Sequence, residues 1–151
     1  MAILNYTTSI DPHRTVGEIQ RLLAANGARG ILIEYNEHGD PAAVAFQIER
    51  RGDIMRYRLP CRATAVCIAL NKDYKAGKVE RKHTTMQHAV RVAWRIIKDW
   101  IEAQVALVNS GMVDMGEVFM PYQLVAENET LYEAMTRKML TVREEENDIQ
   151  I

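Results

Sequence analysis

Residues 31–60 read ILIEYNEHGDPAAVAFQIERRGDIMRYRLP, and they contain three runs of alternating apolar and polar residues separated by two turn signals. Alternation with a period of two is typical of strands, and the short turns at 36–40 and 51–53 join antiparallel neighbours. The sequence therefore predicts three hairpin-connected strands, the last of which ends at Pro60. Their shared apolar face carries Ile31, Ile33, Val44, Phe46, Ile48, Met55, Tyr57 and Leu59.

Residues 2–10 show the same alternation and predict a fourth strand, which Asp11 and Pro12 end. A capping box at 15–18 then begins a first helix with one apolar stripe, and the pair at 26–27, Asn-Gly, ends it. The predicted fold class is thus α+β, with an antiparallel four-stranded sheet in the order β-α-β-β-β. We expect the first helix to pack on the sheet face that contains Ile31.

The rest of the chain is predicted to be mainly helical. A short helix over 61–70 and a polar linker over 71–83 lead into one long helix over 84–109, and short C-terminal helices follow, the last ending near Leu140. Residues 143–151 carry four acidic side chains and one basic one. We therefore expect a frayed acidic tail after a single domain at 1–142.

Two adjacent apolar stripes run along the long helix, and a small sheet cannot easily cover so wide an arc. This excess favours self-association, as a homodimer or a higher oligomer, through residues 84–109. The alternative is that the C-terminal segments cover the helix. The other face of the sheet holds two central alanines with Arg56 and Arg58. It is either covered by the long helix, which is the preferred interpretation, or free to bind a ligand.

Composition limits the classes of function. The 151 residues carry a net charge of −1, with a pI of about 6.4, whereas proteins that bind nucleic acid through bulk charge are strongly basic. No apolar run reaches the roughly 18 residues of a membrane span, and the first residues lack the features of a signal peptide. Cys61 and Cys67 are expected to be unpaired thiols, which suit a reducing cytoplasm. We expect a cytoplasmic protein without membrane contact.

The sequence contains no arrangement of residues that is typical of catalysis or metal binding. His83 and His88 are five residues apart, which does not place them on one helix face, and Ser9 and Ser110 lie in no nucleophile motif. The glycines form no phosphate-binding loop. We therefore expect a non-enzymatic protein that uses neither a metal nor a cofactor.

Basic and aromatic residues concentrate in the third hairpin strand and in the polar linker. Arginine can bind phosphate through two parallel hydrogen bonds, and aromatic rings stack on bases. These residue types predict a site for a phosphate-bearing ligand, whether a nucleotide or a polynucleotide. The alternative is a solvated edge strand guarded by charge, followed by an ordinary lysine-rich loop. The candidate residues are Arg56, Tyr57, Arg58, Tyr74, Lys78, Arg81, Lys82 and His83.

Five short strings in the chain are distinctive. They are RTVGEIQRLL at 14–23, YRLP at 57–60, AWRIIKDWIEAQ at 93–104, EVFMPY at 117–122 and TLYE at 130–133. Together they resemble a family of small uncharacterised proteins associated with phage and prophage genomes, over residues 1 to about 135. The resemblance implies a viral accessory role inside a bacterial cell, and it assigns a function to no residue.

Two functions follow as hypotheses. The first is a non-catalytic phage accessory protein that binds a small nucleotide-like ligand and could sequester a host immune signal in this way. The alternative is a nucleic-acid-binding accessory protein for phage replication or recombination. A helix, three antiparallel strands and a further helix resemble the order in double-stranded RNA-binding domains, although this is an analogy of fold alone. The near-neutral charge weighs against the alternative.

Overall fold

The computed structural model describes residues 1–149, and their architecture confirms the α+β class. In chain order the elements are α1 (Pro12–Ala25), β1 (Ala28–Tyr35), β2 (Pro41–Arg50), β3 (Asp53–Pro60), α2 (Ala63–Lys75), α3 (Met86–Asn109), α4 (Met115–Phe119), β4 (Leu124–Ala126), β5 (Glu129–Thr130) and α5 (Leu131–Ile149). Two short 3-10 turns lie at Arg81–His83 and Met120–Tyr122. Within residues 1–149, no helix combines the length and apolar character that crossing a membrane requires.

The three hairpin strands form an antiparallel sheet with β2 in the centre. The register places Ile31 beside Phe46, which in turn lies beside Tyr57, so the predicted apolar face is confirmed. Helix α1 packs against this face and buries Ile19 and Leu23 completely. We call this side of the sheet the core face and the opposite side the outer face.

The predicted fourth strand is wrong, because the sheet has three strands and residues 4–7 form a turn. Asn5 adopts a left-handed conformation with φ of 64°, which asparagine tolerates better than most residues. Ile3 and Tyr6 pack against Leu70 and Val92 of the helices rather than beside a strand. The alternation in this segment therefore reflects contacts with helices, which periodicity alone does not distinguish from strand pairing.

The first two helices differ from their predicted limits. Helix α1 begins at Pro12, one turn before the predicted capping box, because the Asp11 carboxylate accepts a hydrogen bond from the His13 backbone N–H at 2.8 Å. Thr15, the predicted cap, is fully buried inside the helix. Helix α2 continues to Lys75, so residues 71–75 of the predicted linker are helical. Lys72 and Lys75, in the last turn of α2, are exposed.

Helix α3 confirms the predicted long helix, but it packs on the core side together with α1 and α2. Trp94 is fully buried, and its indole N–H donates to the Pro41 carbonyl at 3.0 Å. The preferred interpretation that α3 covers the outer face is therefore wrong, and Leu32 on that face is 62% exposed. Much of the apolar arc of α3 is buried within the chain, so association through residues 84–109 stays a prediction.

The C-terminal elements follow the edge of the sheet at β3. Gln123 forms a bridge with Tyr57, and the small β4–β5 hairpin leads into α5. Helix α5 continues to Ile149 instead of ending near Leu140, so residues 143–149 are helical, and the fraying expected of this acidic tail stays a prediction. Residues 150 and 151 of the predicted tail lie outside the described residues.

Candidate functional site

A pocket of about 360 Å³ lies between the N-terminal turn and the segment that connects α2 to α3. We call it the loop pocket. Its size is at the lower end of the range for small-molecule sites. Three of the candidate residues from the sequence meet there with two residues of the N-terminal turn. The pocket is lined by Tyr6, Thr7, Gly77, Lys78, Val79, Glu80, Lys82 and His83.

The end of α2 builds the first wall of the loop pocket. Gly77 adopts a φ of 74°, and the backbone N–H of Lys78 donates to the Asp73 carbonyl at 2.9 Å, which is the Schellman pattern of a helix end. The reversed chain then buries Val79 and forms the 3-10 turn Arg81–His83. This path brings Lys78 and His83 to the same pocket.

The N-terminal turn builds the second wall, and three hydrogen bonds attach it to the helices. The backbone N–H of Ile3 donates to the Asp73 carboxylate at 3.0 Å, and the Asn5 amide donates to Asp99 at 2.9 Å. The Tyr6 carbonyl accepts a hydrogen bond from Nε2 of His88. The wall is therefore held at both α2 and α3.

His83 lies at the base of this arrangement and is only 9% exposed. Its ring centroid is 5.5 Å from that of Tyr6, edge to face, and 4.8 Å from that of His88. Burial, followed by the nearby charges of His88 and Lys82, lowers the pKa of His83 below its usual value of 6.5. The ring is therefore neutral at pH 7, with one nitrogen that donates and one that accepts.

His83 lines the loop pocket, and its ring nitrogens have no hydrogen-bond partner among the described residues. Within residues 1–149, no fully buried side-chain nitrogen or oxygen lacks a partner. The ring nitrogens therefore keep some exposure to solvent.

The charge of the loop pocket is positive on balance. Lys78 and Lys82 contribute two ammonium groups, and Glu80 contributes one carboxylate. Nζ of Lys82 lies 3.4 Å from Glu80, but both side chains are more than two-thirds exposed, so this pair is weak and can rearrange. An anion that displaces Glu80 from Lys82 would meet two ammonium groups and a neutral imidazole.

The outer face carries a second pocket of similar volume, which is lined by Arg56 and Tyr57 among others and shares no residue with the loop pocket. Its lining is mainly apolar and includes Gln47, the register partner of Arg56. Arg58 is not free there, because its guanidinium forms a bidentate ion pair with Glu34 at 2.7 and 3.2 Å. That hydrogen-bonded carboxylate raises the pKa of Arg58.

The structure thus separates the eight residues proposed from the sequence. Tyr57 is fully buried in the core, where its ring stacks on Phe46 at 5.3 Å, so it cannot stack on a ligand. Tyr74 on α2 is 42% exposed, and Arg81 is also exposed. Neither residue lines the loop pocket. Lys78, Lys82 and His83 come together in the loop pocket, whereas Arg56 and the buried Tyr57 line the outer-face pocket.

Tyr6 and Thr7 were missed as site residues because their segment was predicted to be a strand. The tolerance of Asn5 for left-handed backbone is the one local signal of a turn, and it is weak. The position of this turn depends on hydrogen bonds to residues 70 or more positions away.

The cysteines and the groups that could bind a metal were the remaining candidates for chemistry. Cys61 and Cys67 are both free thiols, and burial raises the pKa of Cys61 to about 12, which makes it a poor nucleophile at neutral pH. In the described part of the chain, no group of three or more His, Cys, Asp or Glu side chains could hold a metal ion.

Comparisons with protein-family models, with curated proteins and with solved structures give no match to this chain. The chemistry of the loop pocket therefore rests on the geometry of the chain itself.

Proposed function

We propose that this protein is a non-catalytic binder of a small phosphorylated molecule of nucleotide size, and that the loop pocket is its binding site. The observation that carries the proposal is the convergence of Lys78, Lys82 and His83 on one pocket whose other wall is Tyr6 and Thr7. Two ammonium groups suit a phosphate, and the unpartnered imidazole of His83 can donate or accept one further hydrogen bond.

The pocket is also suited to the non-ionic part of such a ligand. The partly buried ring of Tyr6 and the buried Val79 offer apolar contact beside the basic groups. In the setting that the family resemblance implies, the ligand is a nucleotide-like signal of a bacterial host. Binding without turnover would then sequester that signal in the cytoplasm of the infected cell.

The test begins with small molecules released from the purified protein by heat denaturation and identified by mass spectrometry. A panel of nucleoside mono- and triphosphates and cyclic dinucleotides is then titrated by calorimetry. We expect the double variant Lys78→Ala/Lys82→Ala to weaken binding by about tenfold or more for each charge-assisted hydrogen bond lost. Lys75→Ala, on the exposed last turn of α2, is the matched control and should bind as the wild type does. Equal affinity in all three proteins would contradict the proposal.

Nucleic-acid binding is a second candidate, and the element order α1-β1-β2-β3-α2 favours it. This order is closer to the double-stranded RNA-binding arrangement than the predicted one, because the fourth strand is absent. Among the described residues, however, Arg56 is the only arginine that lines the outer-face pocket, and Arg58 on the same face is paired with Glu34. A gel shift with duplex RNA and DNA whose affinity falls steeply with salt would favour this function over the first.

A further inference from the structure

Helix α5 presents a continuous apolar stripe that the rest of the chain leaves uncovered. Tyr132, Met135, Met139 and Val142 are each between 51% and 62% exposed. Their spacings of three, four and three residues are those of the a and d positions of a coiled coil. We call this stripe the α5 seam.

Beyond its first turns, helix α5 has few contacts with the rest of the domain. Its first turns contact β4, β5 and the 3-10 turn Met120–Tyr122, and Ala134 is its only buried residue. Arg137 forms an ion pair with Glu129 of β5 at 3.0 Å. Among the described residues, no ion pair joins α5 to another element beyond this position. Helices without tertiary packing are only marginally stable in water over such short lengths, so a partner on the seam would stabilise residues 138–149.

The charges beside the seam identify that partner. With Met139 as an a position, Lys138 and Glu145 are both g positions, and Arg143 is an e position. Antiparallel pairing of two copies brings g positions together, and the register that stacks Met139 on Val142 of the other copy places Lys138 opposite Glu145, twice by symmetry. In this register Tyr132 lies opposite Ile149, and Met135 lies opposite Glu146, which occupies the next a position. The register that stacks the four seam residues on one another places Lys138 opposite Lys138, so the charges oppose it. Parallel pairing would instead place Lys138 opposite Arg143, with like charges in both contacts.

We propose that α5 is a self-association surface on which two copies of this chain pair antiparallel through the α5 seam. The interface is isologous, since each copy contributes the same four apolar residues and the same two charged flanks. It is distinct from the association predicted through residues 84–109, because it uses no residue of α3. The seam is short, so we expect association in the micromolar range or weaker.

The test is sedimentation velocity of the full chain from micromolar to millimolar concentration. The wild type should form dimers as concentration rises. Lys138→Glu and Glu145→Lys should each weaken the dimer on the order of tenfold, because attraction becomes repulsion in two contacts. The double variant Lys138→Glu/Glu145→Lys should restore it, since the pair is re-formed with its signs reversed. Lys75→Glu on α2 is the matched charge change and should have no effect.

Met139→Asp should leave the protein monomeric while circular dichroism shows that the α+β domain stays folded, because Met139 is more than half exposed. The proposal is overturned if the wild type is monomeric over the whole range. It is also overturned if Lys138→Glu strengthens association, which would indicate parallel pairing. Dimers that persist unchanged in Met139→Asp would place the interface elsewhere and overturn it as well.

Discussion

Nε2 of His88 donates a hydrogen bond to the backbone carbonyl of Tyr6, and this bond joins residues 82 positions apart in the chain. Because a carbonyl oxygen can only accept, Nε2 must carry the proton. The same contact holds the N-terminal turn against α3 and so fixes one wall of the loop pocket. A change at His88 should therefore affect both the stability of the turn and the proposed binding site.

We predict that His88→Ala lowers the free energy of unfolding by about 1–3 kcal/mol, because it removes a hydrogen bond from a side chain that is 7% exposed. Urea unfolding measures this change. The control is Asn5→Ala, which breaks an exposed hydrogen bond to Asp99 in the same turn and should cost less. Equal losses in the two variants would mean that the His88 contact does not anchor the turn.

His83 gives the stability a specific dependence on pH. Its pKa is lowered in the folded protein, so between that pKa and 6.5 the unfolded chain binds more protons at this residue. The free energy of unfolding should therefore fall as pH decreases below about 7, and the loss should level off below the folded pKa. His88, Lys82 and Glu80 surround the ring and are unchanged in the comparison variant, His83→Gln. Urea unfolding at several pH values should show a shallower slope for this variant, and identical slopes would contradict the assignment.

The ion pair between Arg58 and Glu34 makes Arg58 a stabilising residue on the outer face. Both side chains keep about a third of their surface exposed, at 32% and 38%, so the pair should contribute about 0.5–1 kcal/mol. A double-mutant cycle with Arg58→Gln and Glu34→Gln should recover that coupling energy. The matched cycle, which combines Arg56→Gln with Glu34→Gln, should give a coupling energy near zero. A coupling near zero for Arg58 would show that the pair is solvated and without effect.

Two adjacent leucines of α1 distinguish the observed packing from a shifted one. Leu23 is fully buried against the core face, whereas Leu22 is only partly buried. We expect Leu23→Ala to lower the free energy of unfolding by about 2–5 kcal/mol and Leu22→Ala to lower it less. Thermal and urea unfolding of both variants measure this order. The reverse order would mean that α1 is rotated on the sheet.

The sheet was predictable from the sequence because its signal is local. Alternating residues at Ile31, Val44 and Met55 specify both the strands and their buried face, and short turns specify antiparallel pairing. Residues 2–10 carry a similar alternation, but Ile3 and Tyr6 satisfy it by packing on helices. Only the position of α2 and α3 decides between these outcomes, and that position is a long-range property.

The candidate site was predictable only in part for the same reason. Lys78, Lys82 and His83 are neighbours in the chain, so their proximity follows from sequence. Arg58 has the same residue chemistry as Arg56, but Glu34 lies beside it on the outer face and neutralises it. Glu34 on β1 and Arg58 on β3 meet because both strands pair with β2, and composition and spacing do not reveal this contact between residues 24 positions apart.

The most direct test of the loop pocket is a nucleotide titration followed by two-dimensional amide NMR on isotope-labelled protein. The ligand is the one that binds best in the calorimetric panel. We expect chemical-shift changes to concentrate at Thr7 and residues 77–83, and to be strongly reduced in Lys78→Ala/Lys82→Ala. Changes concentrated at residues 30–32, 45–47 and Arg56 on the outer face, or an unchanged response in the double variant, would contradict this prediction.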